Sequence, residues 1–168
     1  KAFAYGSLTI GSEVTAIADE AFYNCYSLTE ITIPSNVKTI GNSAFEACYG
    51  LENITIANGV TEIGTQAFSE CSKLTEITIP DSVTKLGGYA FENCENLKDV
   101  SISNKATSIG GGAFSGTFWQ NQHMQNDDFV VLNTTLLSHG QKTSGDIVIP
   151  DGITNIGSDA FNSCNEIT

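Results

Sequence analysis

The chain has 168 residues, of which 40% are hydrophobic and 15% charged, a composition typical of one globular domain with a sizeable core. Nineteen Asp and Glu stand against 7 Lys and Arg, and the resulting net charge of −12 argues against nucleic acid or an anionic lipid surface as a partner. No apolar run approaches the roughly 20 residues needed to cross a bilayer, so we expect no direct membrane insertion.

The first clear element is a short strand in the segment LTEITIP. This segment occurs at Leu28–Pro34 and again at Leu74–Pro80, 46 residues later. Alternation directs Ile31 and Ile33 inward and Thr32 outward, and the β-branched residues favour a strand. Equivalent strands of successive cycles are expected to pair in parallel.

The dipeptide Ala-Phe marks the repeat period. Its Phe residues recur every 23 residues and then once after 47, which we interpret as 23 plus an insertion of 24: Phe22, Phe45, Phe68, Phe91, Phe114 and Phe161. A fixed period with fixed apolar positions predicts stacked coils, each burying one face against its neighbours.

The rest of each cycle contains two further patterns. V-x-x-I, as in Val37 and Ile40, predicts a second short extended stretch. G-x-x-A-F-x-x-C has apolar spacing typical of one or two helical turns. The Gly at its start forms a column in most cycles, where a left-handed backbone is an option rather than a requirement because Ala18 takes this place in an early cycle.

Residues 118–146 interrupt the repeat. Asp128–Leu132 and Thr135–His139 are two strand-like runs around a turn, which predicts a β-hairpin projecting from the stack and leading back to a strand at Asp146–Ile149. The insertion is either a functional excursion or a structural cover for the side of the stack. The single Trp, Trp119, is either an anchor for a partner or, more often in such places, a plug onto the core.

The residues that could form a metal or catalytic site do not come together in the predicted fold. Five Cys follow the coil period, so they form a column of buried free thiols rather than a tetrahedral metal site: Cys25, Cys48, Cys71, Cys94 and Cys164. Both histidines lie in the insertion, away from the thiols, and no nucleophilic triad or phosphate-binding Gly loop can be assembled. We expect no enzymatic activity, no catalytic residues, no metal and no cofactor.

The complete cycle resembles a known repeat. Leu28–Cys48 and Leu74–Cys94 follow the pattern L-T-x-I-x-I-P-x-x-V-T-x-I-G-x-x-A-F-x-x-C, which is the signature of the BspA-like leucine-rich repeats. The resemblance implies an α/β repeat: a right-handed leucine-rich-repeat solenoid with a parallel β-sheet, coils of about 23 residues and a β-hairpin insertion. We expect one domain over residues 1–168, with the insertion at about 118–146, belonging to a longer chain.

The resemblance also implies a function. It favours a non-catalytic recognition or adhesion module, extracellular or on a cell surface, that binds proteins or glycans of a host or neighbouring cell. The alternative is a structural spacer or stalk that presents another domain of a longer surface protein. We expect a monomer.

The outward positions of the strands are the candidate binding face. They form ladders of acids, amides and hydroxyls that a curved stack offers to partners, although exposed Thr and acids also serve solubility. With Trp119, the candidate partner-binding residues are Glu30, Thr32, Asn53, Thr55, Glu76, Thr78, Asp99 and Ser101.

Overall fold

The computed structural model describes residues 6–103, 105–106, 108–126, 129–139 and 147–162. Its elements, in chain order, are β1 (Gly6–Thr9), β2 (Ala16–Ile17), β3 (Leu28–Ile33), β4 (Thr39–Ile40), β5 (Asn53–Ile56), β6 (Glu62–Ile63), β7 (Glu76–Ile79), β8 (Lys85–Leu86), β9 (Asp99–Ile102), β10 (Ser108–Ile109), α1 (Phe118–Asn126), β11 (Phe129–Leu132), β12 (Thr135–His139) and β13 (Asn155–Ile156). They form a parallel solenoid with three sides to each coil, which confirms the predicted fold class.

The first side carries the longer strands. β1, β3 and β5 form one parallel sheet, and β7 and β9 form a second. Their registers are those that the 23-residue period predicts, with Ile31 beside Ile54 and Ile77 beside Val100. Alternation therefore places the aliphatic side chains inward, and Ile31 and Ile77 are buried.

The second side carries the short strands, and it forms one continuous sheet in the order β10-β8-β6-β4-β2. One aliphatic residue per coil points inward from it, and all five are buried: Ile17, Ile40, Ile63, Leu86 and Ile109. The prediction of a second extended stretch is thereby confirmed.

The third side is a turn rather than the predicted helical turn. Its coil has left-handed backbone at Ser43 (φ 51°) and Ala47 (φ 59°), which an α-helix does not allow. Alternate N–H groups instead donate to the following coil, from Ser43 to the Thr65 carbonyl (2.8 Å) and from Phe45 to the Ala67 carbonyl (2.7 Å). The apolar spacing does mark a buried face, but the prediction of helix was wrong.

The glycine column is explained by close packing between coils rather than by a left-handed backbone. A Cβ on Gly64 would lie 2.7 Å from the backbone nitrogen of Asn42, and one on Gly87 would lie 2.4 Å from the Gly64 carbonyl carbon. Neither residue has positive φ. The column is therefore required by the close approach of consecutive coils, and not by a left-handed backbone.

The core is built from columns of identical side chains. The rings of successive Phe are stacked, with centroids 4.9–5.5 Å apart and interplanar angles of 3–11°: Phe22, Phe45, Phe68, Phe91 and Phe114. Beside them the buried thiols of Cys48, Cys71 and Cys94 each donate to the carbonyl of the Phe located 26 residues earlier, at 3.2–3.4 Å. This bond explains why Cys suits the position: it is small and apolar, yet satisfies a carbonyl.

The interruption begins with a helix that was not predicted. The Thr117 hydroxyl accepts a hydrogen bond from the Gln120 N–H at 3.0 Å and donates to the Phe114 carbonyl at 2.7 Å, so it acts as the N-cap of α1. The sequence contains the signal, because Thr followed three residues later by Gln is a capping box.

The predicted hairpin is present, with β11 antiparallel to β12 and a left-handed Asn133 (φ 56°) in the turn. It does not project from the stack, however, because β12 pairs in parallel with β13 of the next coil and its residues Thr135–Ser138 are buried. Residues 147–149 form no strand, so that part of the prediction was wrong, while Asp146 and Cys164 lie outside the described residues.

The hydrogen bonds identify β12 as part of a divergent coil. Gly157 N–H donates to the Leu136 carbonyl at 2.8 Å, as Gly64 N–H does to Ile40, and His139 N–H donates to the Ala160 carbonyl at 2.9 Å, as Phe45 N–H does to Ala67. Leu136 and His139 thus occupy the places of the repeat Ile and Phe. The 47-residue interval is better divided as 25 plus 22, with His139 as the intermediate member, than as one cycle with an insertion.

Candidate recognition face

The candidate residues on the first side lie where the sequence predicts them. All eight are exposed: Glu30, Thr32, Asn53, Thr55, Glu76, Thr78, Asp99 and Ser101. Glu30 is paired with Asn53 and Thr32 with Thr55 across β3 and β5, and Glu76 with Asp99 and Thr78 with Ser101 across β7 and β9. We call this surface the ladder face.

The ladder face is divided, which the sequence does not predict. β5 and β7 belong to different sheets, so the expected ladder from Asn53 to Glu76 is interrupted. The same two coils remain paired on the second side, where Glu62 lies beside Lys85. The coils therefore separate only on the side that carries the ladder face.

A polar cleft lies at the point of separation. It has a volume of about 360 Å³ and is lined by Glu52, Asn53, Lys73, Thr75 and Asn96. Lys73 Nζ bridges the opening to Glu52 Oε1 at 2.9 Å, and Asn96 Nδ2 donates to the Ser72 carbonyl at 2.7 Å. Asn53 was predicted as a site residue, but nothing in the repeat pattern distinguishes Lys73 or Asn96.

The charge on the ladder face is uneven. Within the described ranges, Lys73–Glu52, Lys85–Glu62 and Lys105–Asp81 are the ion pairs, and all six side chains are largely exposed. Glu30, Glu76 and Asp99 take part in none of them, so the ladder face keeps a net negative charge outside the cleft.

Trp119 lies against the core. Its ring meets that of Phe114 with centroids 5.4 Å apart and a 59° tilt, and it packs on His123 at 4.6 Å. Its backbone N–H donates to the Leu97 carbonyl at 2.8 Å. These contacts favour the plug over the partner anchor, because the ring closes the end of the Phe column.

The turn side carries tyrosines and acids. Tyr49 donates from its hydroxyl to Glu70 at 2.7 Å, and Tyr89 to Asp159 at 2.6 Å; these hydrogen bonds raise the pKa of both phenols. Burial, and then the neighbouring carboxylate of Glu70, raises the pKa of Glu92. The arrangement fixes the rings without creating a site for general acid or base chemistry.

The buried thiols of Cys48 and Cys71 are poor nucleophiles. Cys25, Cys48, Cys71 and Cys94 are free, and burial raises the pKa of Cys48 to about 12. A hydrogen bond with Cys94, followed by burial, raises the pKa of Cys71. In the described part of the chain, no group of three or more His, Cys, Asp or Glu side chains is placed to hold a metal ion.

Comparison with known proteins identifies the repeat. The family model described as "BspA type Leucine rich repeat region" matches six copies over residues 15–142 and 138–168. The chain belongs to the BspA-type leucine-rich repeat family. This is a repeat fold for protein interaction, and the family and its structural neighbours are generally non-enzymatic.

Solved structures agree with this BspA-type assignment. A leucine-rich repeat protein of T. pallidum is 35% identical over 65% of this chain and 53% of its own, with a TM-score of 0.63. A leucine-rich cell surface protein of Faecalibacterium prausnitzii is 33% identical over 96% of this chain and 37% of its own, with a TM-score of 0.64. The chain thus spans about half or less of the length of these two proteins.

The pneumococcal vaccine antigen PcpA is a more distant neighbour of the BspA-type chain. It is 19% identical over 98% of this chain and 54% of its own, with a TM-score of 0.58, and supports the fold alone. No curated protein sequence matches the chain significantly. Among the described residues, no helix combines the length and apolarity that a membrane span requires.

Proposed function

We propose that this chain is a non-catalytic recognition module of a surface or secreted protein, and that the ladder face binds a protein or glycan of another cell. The observation that supports this most directly is the in-register exposure of acids, amides and hydroxyls along β3, β5, β7 and β9. Packing accounts for the inward residues of these strands but places no demand on the outward ones.

The charge of the ladder face indicates the kind of partner. Glu30, Glu76 and Asp99 form no ion pair among the described residues, so a partner with a basic patch would be attracted and oriented. Interactions of this kind are screened by salt, because the Debye length is about 8 Å at physiological ionic strength. Binding to the ladder face should therefore weaken as salt is added.

The description of one structural neighbour supports the location. The relative from Faecalibacterium prausnitzii is described as a cell surface protein, and it covers nearly all of this chain. This similarity supports our proposal that the chain acts at a cell surface or in secreted form.

The experiment compares two charge-reversal variants in the binding of labelled protein to cultured epithelial cells, measured by flow cytometry. The test variant carries Glu30→Lys, Glu76→Lys and Asp99→Lys. The control carries Glu13→Lys, Glu46→Lys and Asp151→Lys, three acids off the ladder face that change the net charge equally. We expect the test variant to lose most of its binding at an unchanged melting temperature, and the control to retain it. Equal loss in both would contradict a specific ladder face.

A spacer is the second candidate, and the uniform core favours it. The buried positions repeat from coil to coil, so length can change without altering the cross-section of the stack. Removing residues 51–73 deletes one 23-residue period and joins Gly50 to Leu74. A spacer tolerates this deletion with its function intact. A recognition module loses binding because half of the ladder is displaced by one coil.

A further inference from the structure

We propose that the cleft between β5 and β7 is a binding site for a neutral glycan, which it holds through the sugar hydroxyls. This inference deepens the proposed function, on which it rests, by naming a ligand class and a position on the ladder face. The cleft is lined by Glu52, Asn53, Lys73, Thr75 and Asn96.

The cleft arises from a local parting of the coils. Elsewhere on this side, backbone bonds continue across consecutive coils, from the Glu52 N–H to the Thr29 carbonyl and from the Lys98 N–H to the Thr75 carbonyl, both at 2.9 Å. Between β5 and β7 the sheet is interrupted, while β6 still pairs with β8 and the Phe68 and Phe91 rings remain stacked at 5.3 Å. The packed core thus lies beneath an opening about 360 Å³ in volume.

The charge balance of the cleft favours an uncharged ligand. Glu52 is its only carboxylate and Lys73 its only ammonium group, and the two are paired at 2.9 Å. The remaining lining groups are two amides and a hydroxyl. An anionic polymer would also be repelled by the net charge of −12.

The hydrogen-bonding groups of the cleft match hydroxyls. Amides supply both donors and acceptors, the carboxylate accepts, and the ammonium donates, so neighbouring hydroxyls of a sugar ring can each find a partner. Among the described residues, the Asn53 amide and the Thr75 hydroxyl have no protein partner. They are therefore free to exchange water for ligand.

An extended peptide is the competing ligand. The facing edges of β5 and β7 are not paired with each other, and strand addition is a common way to bind a peptide. The neutral balance of amide, hydroxyl and paired charge favours the glycan, because strand addition relies on main-chain groups and gains little from these side chains.

The experiment is saturation-transfer difference NMR on the intact chain with cellotriose, mannotriose and triacetylchitotriose as probes. A heptapeptide of alternating Thr and Val tests strand addition. The variants are Asn53→Ala and Thr75→Ala, with Thr29→Ala as the matched control, because Thr29 occupies the same column two coils earlier and does not line the cleft. Melting temperatures confirm that all variants are folded.

We expect at least one trisaccharide to bind. Asn53→Ala and Thr75→Ala should weaken it by about tenfold, as expected for the loss of a hydrogen bond, and Thr29→Ala by less than twofold. The proposal would be overturned if the protein transferred saturation to none of the three sugars, or if it bound the peptide alone. It would also be overturned if the two lining variants transferred saturation to the sugar as well as the unmodified chain does. Sugar binding can fail while charge-sensitive cell binding persists, and that result overturns only the glycan site. Sugar binding without cell binding overturns only the acidic ladder.

Discussion

The rings of His139 and Phe161 are parallel to within 1°, with centroids 6.3 Å apart. Together with the bond from the His139 N–H to the Ala160 carbonyl, this stacking places a histidine at the Phe position of the coil. The column of aromatic rings is thus interrupted at Trp119 and begins again one coil later.

The first prediction concerns His139. His139→Phe restores the repeat residue and should preserve stability, whereas His139→Ala removes the ring that covers Phe161 and should lower the free energy of unfolding by about 1 kcal/mol relative to the Phe variant. Urea denaturation followed by circular dichroism measures the difference. Equal stability of the two variants would argue against a coil in residues 118–139.

Phe68 tests the central column. It is fully buried and stacked on Phe45 and Phe91, so Phe68→Ala should cost about 3–5 kcal/mol of unfolding free energy. Phe118→Ala is the control, because Phe118 is 44% exposed and its ring faces the Lys98 ammonium group at 5.9 Å. A loss below about 1 kcal/mol at Phe68, by the same urea measurement, would contradict the inward assignment.

Gly64 tests the close approach of consecutive coils. Gly64→Ala places a methyl group 2.7 Å from the Asn42 nitrogen, and separating the coils to admit it should cost about 1–3 kcal/mol. Gly11→Ala is the matched control, since no atom lies within 4 Å of its Cβ position. Thermal unfolding should show a clear drop for the first variant and almost none for the second.

Gln66 tests the left-handed turn positions. Gln66 has φ 55°, where a side chain is strained, so Gln66→Gly should raise the free energy of unfolding by about 0.5–1 kcal/mol. Thr65→Gly has no such strain to relieve and should lower the free energy of unfolding by a similar amount. The opposite signs of the two changes, read from urea midpoints, are the decisive observation.

The alkaline stability of the fold depends on the buried thiols. The pKa of Cys48 is raised from 9.0 to about 12, so its stabilising contribution is complete below pH 9. Between pH 9 and 12 the unfolded chain loses this proton while the folded chain keeps it, and stability therefore falls as pH rises. The melting temperature between pH 8 and 11 should decrease less steeply in Cys48→Ala than in the unmodified chain. Identical slopes would show that Cys48 does not contribute.

Much of the fold could be predicted because the 23-residue period fixes register without further information. The inward places of Ile31, Phe45 and Cys48 follow from their recurrence, as does the exposure of Glu30 and Thr32. The turn at Ser43–Ala47 could not be distinguished from a helix, since both bury residues three or four apart in sequence.

The divergent coil and the cleft are harder to predict. His139 lacks the apolar character that marks the repeat, so its position is shown by its backbone hydrogen bond and its ring stacking rather than by the sequence. The separation of β5 from β7 cannot be recognised from the strand sequences, because NITI and EITI differ at only one outward position. The residues of the ladder face could be predicted, but not their division into two groups.

The backbone hydrogen bonds on the turn side all point in the same direction along the stack. There the N–H groups of Phe22, Phe45, Phe68, Phe91 and His139 all donate towards the later coil, to Ala44, Ala67, Ala90, Ala113 and Ala160. In a β-ladder successive peptide dipoles alternate and largely cancel, whereas those on the turn side add together as in an α-helix. The solenoid therefore has a dipole along its length, with its positive end towards the later coils.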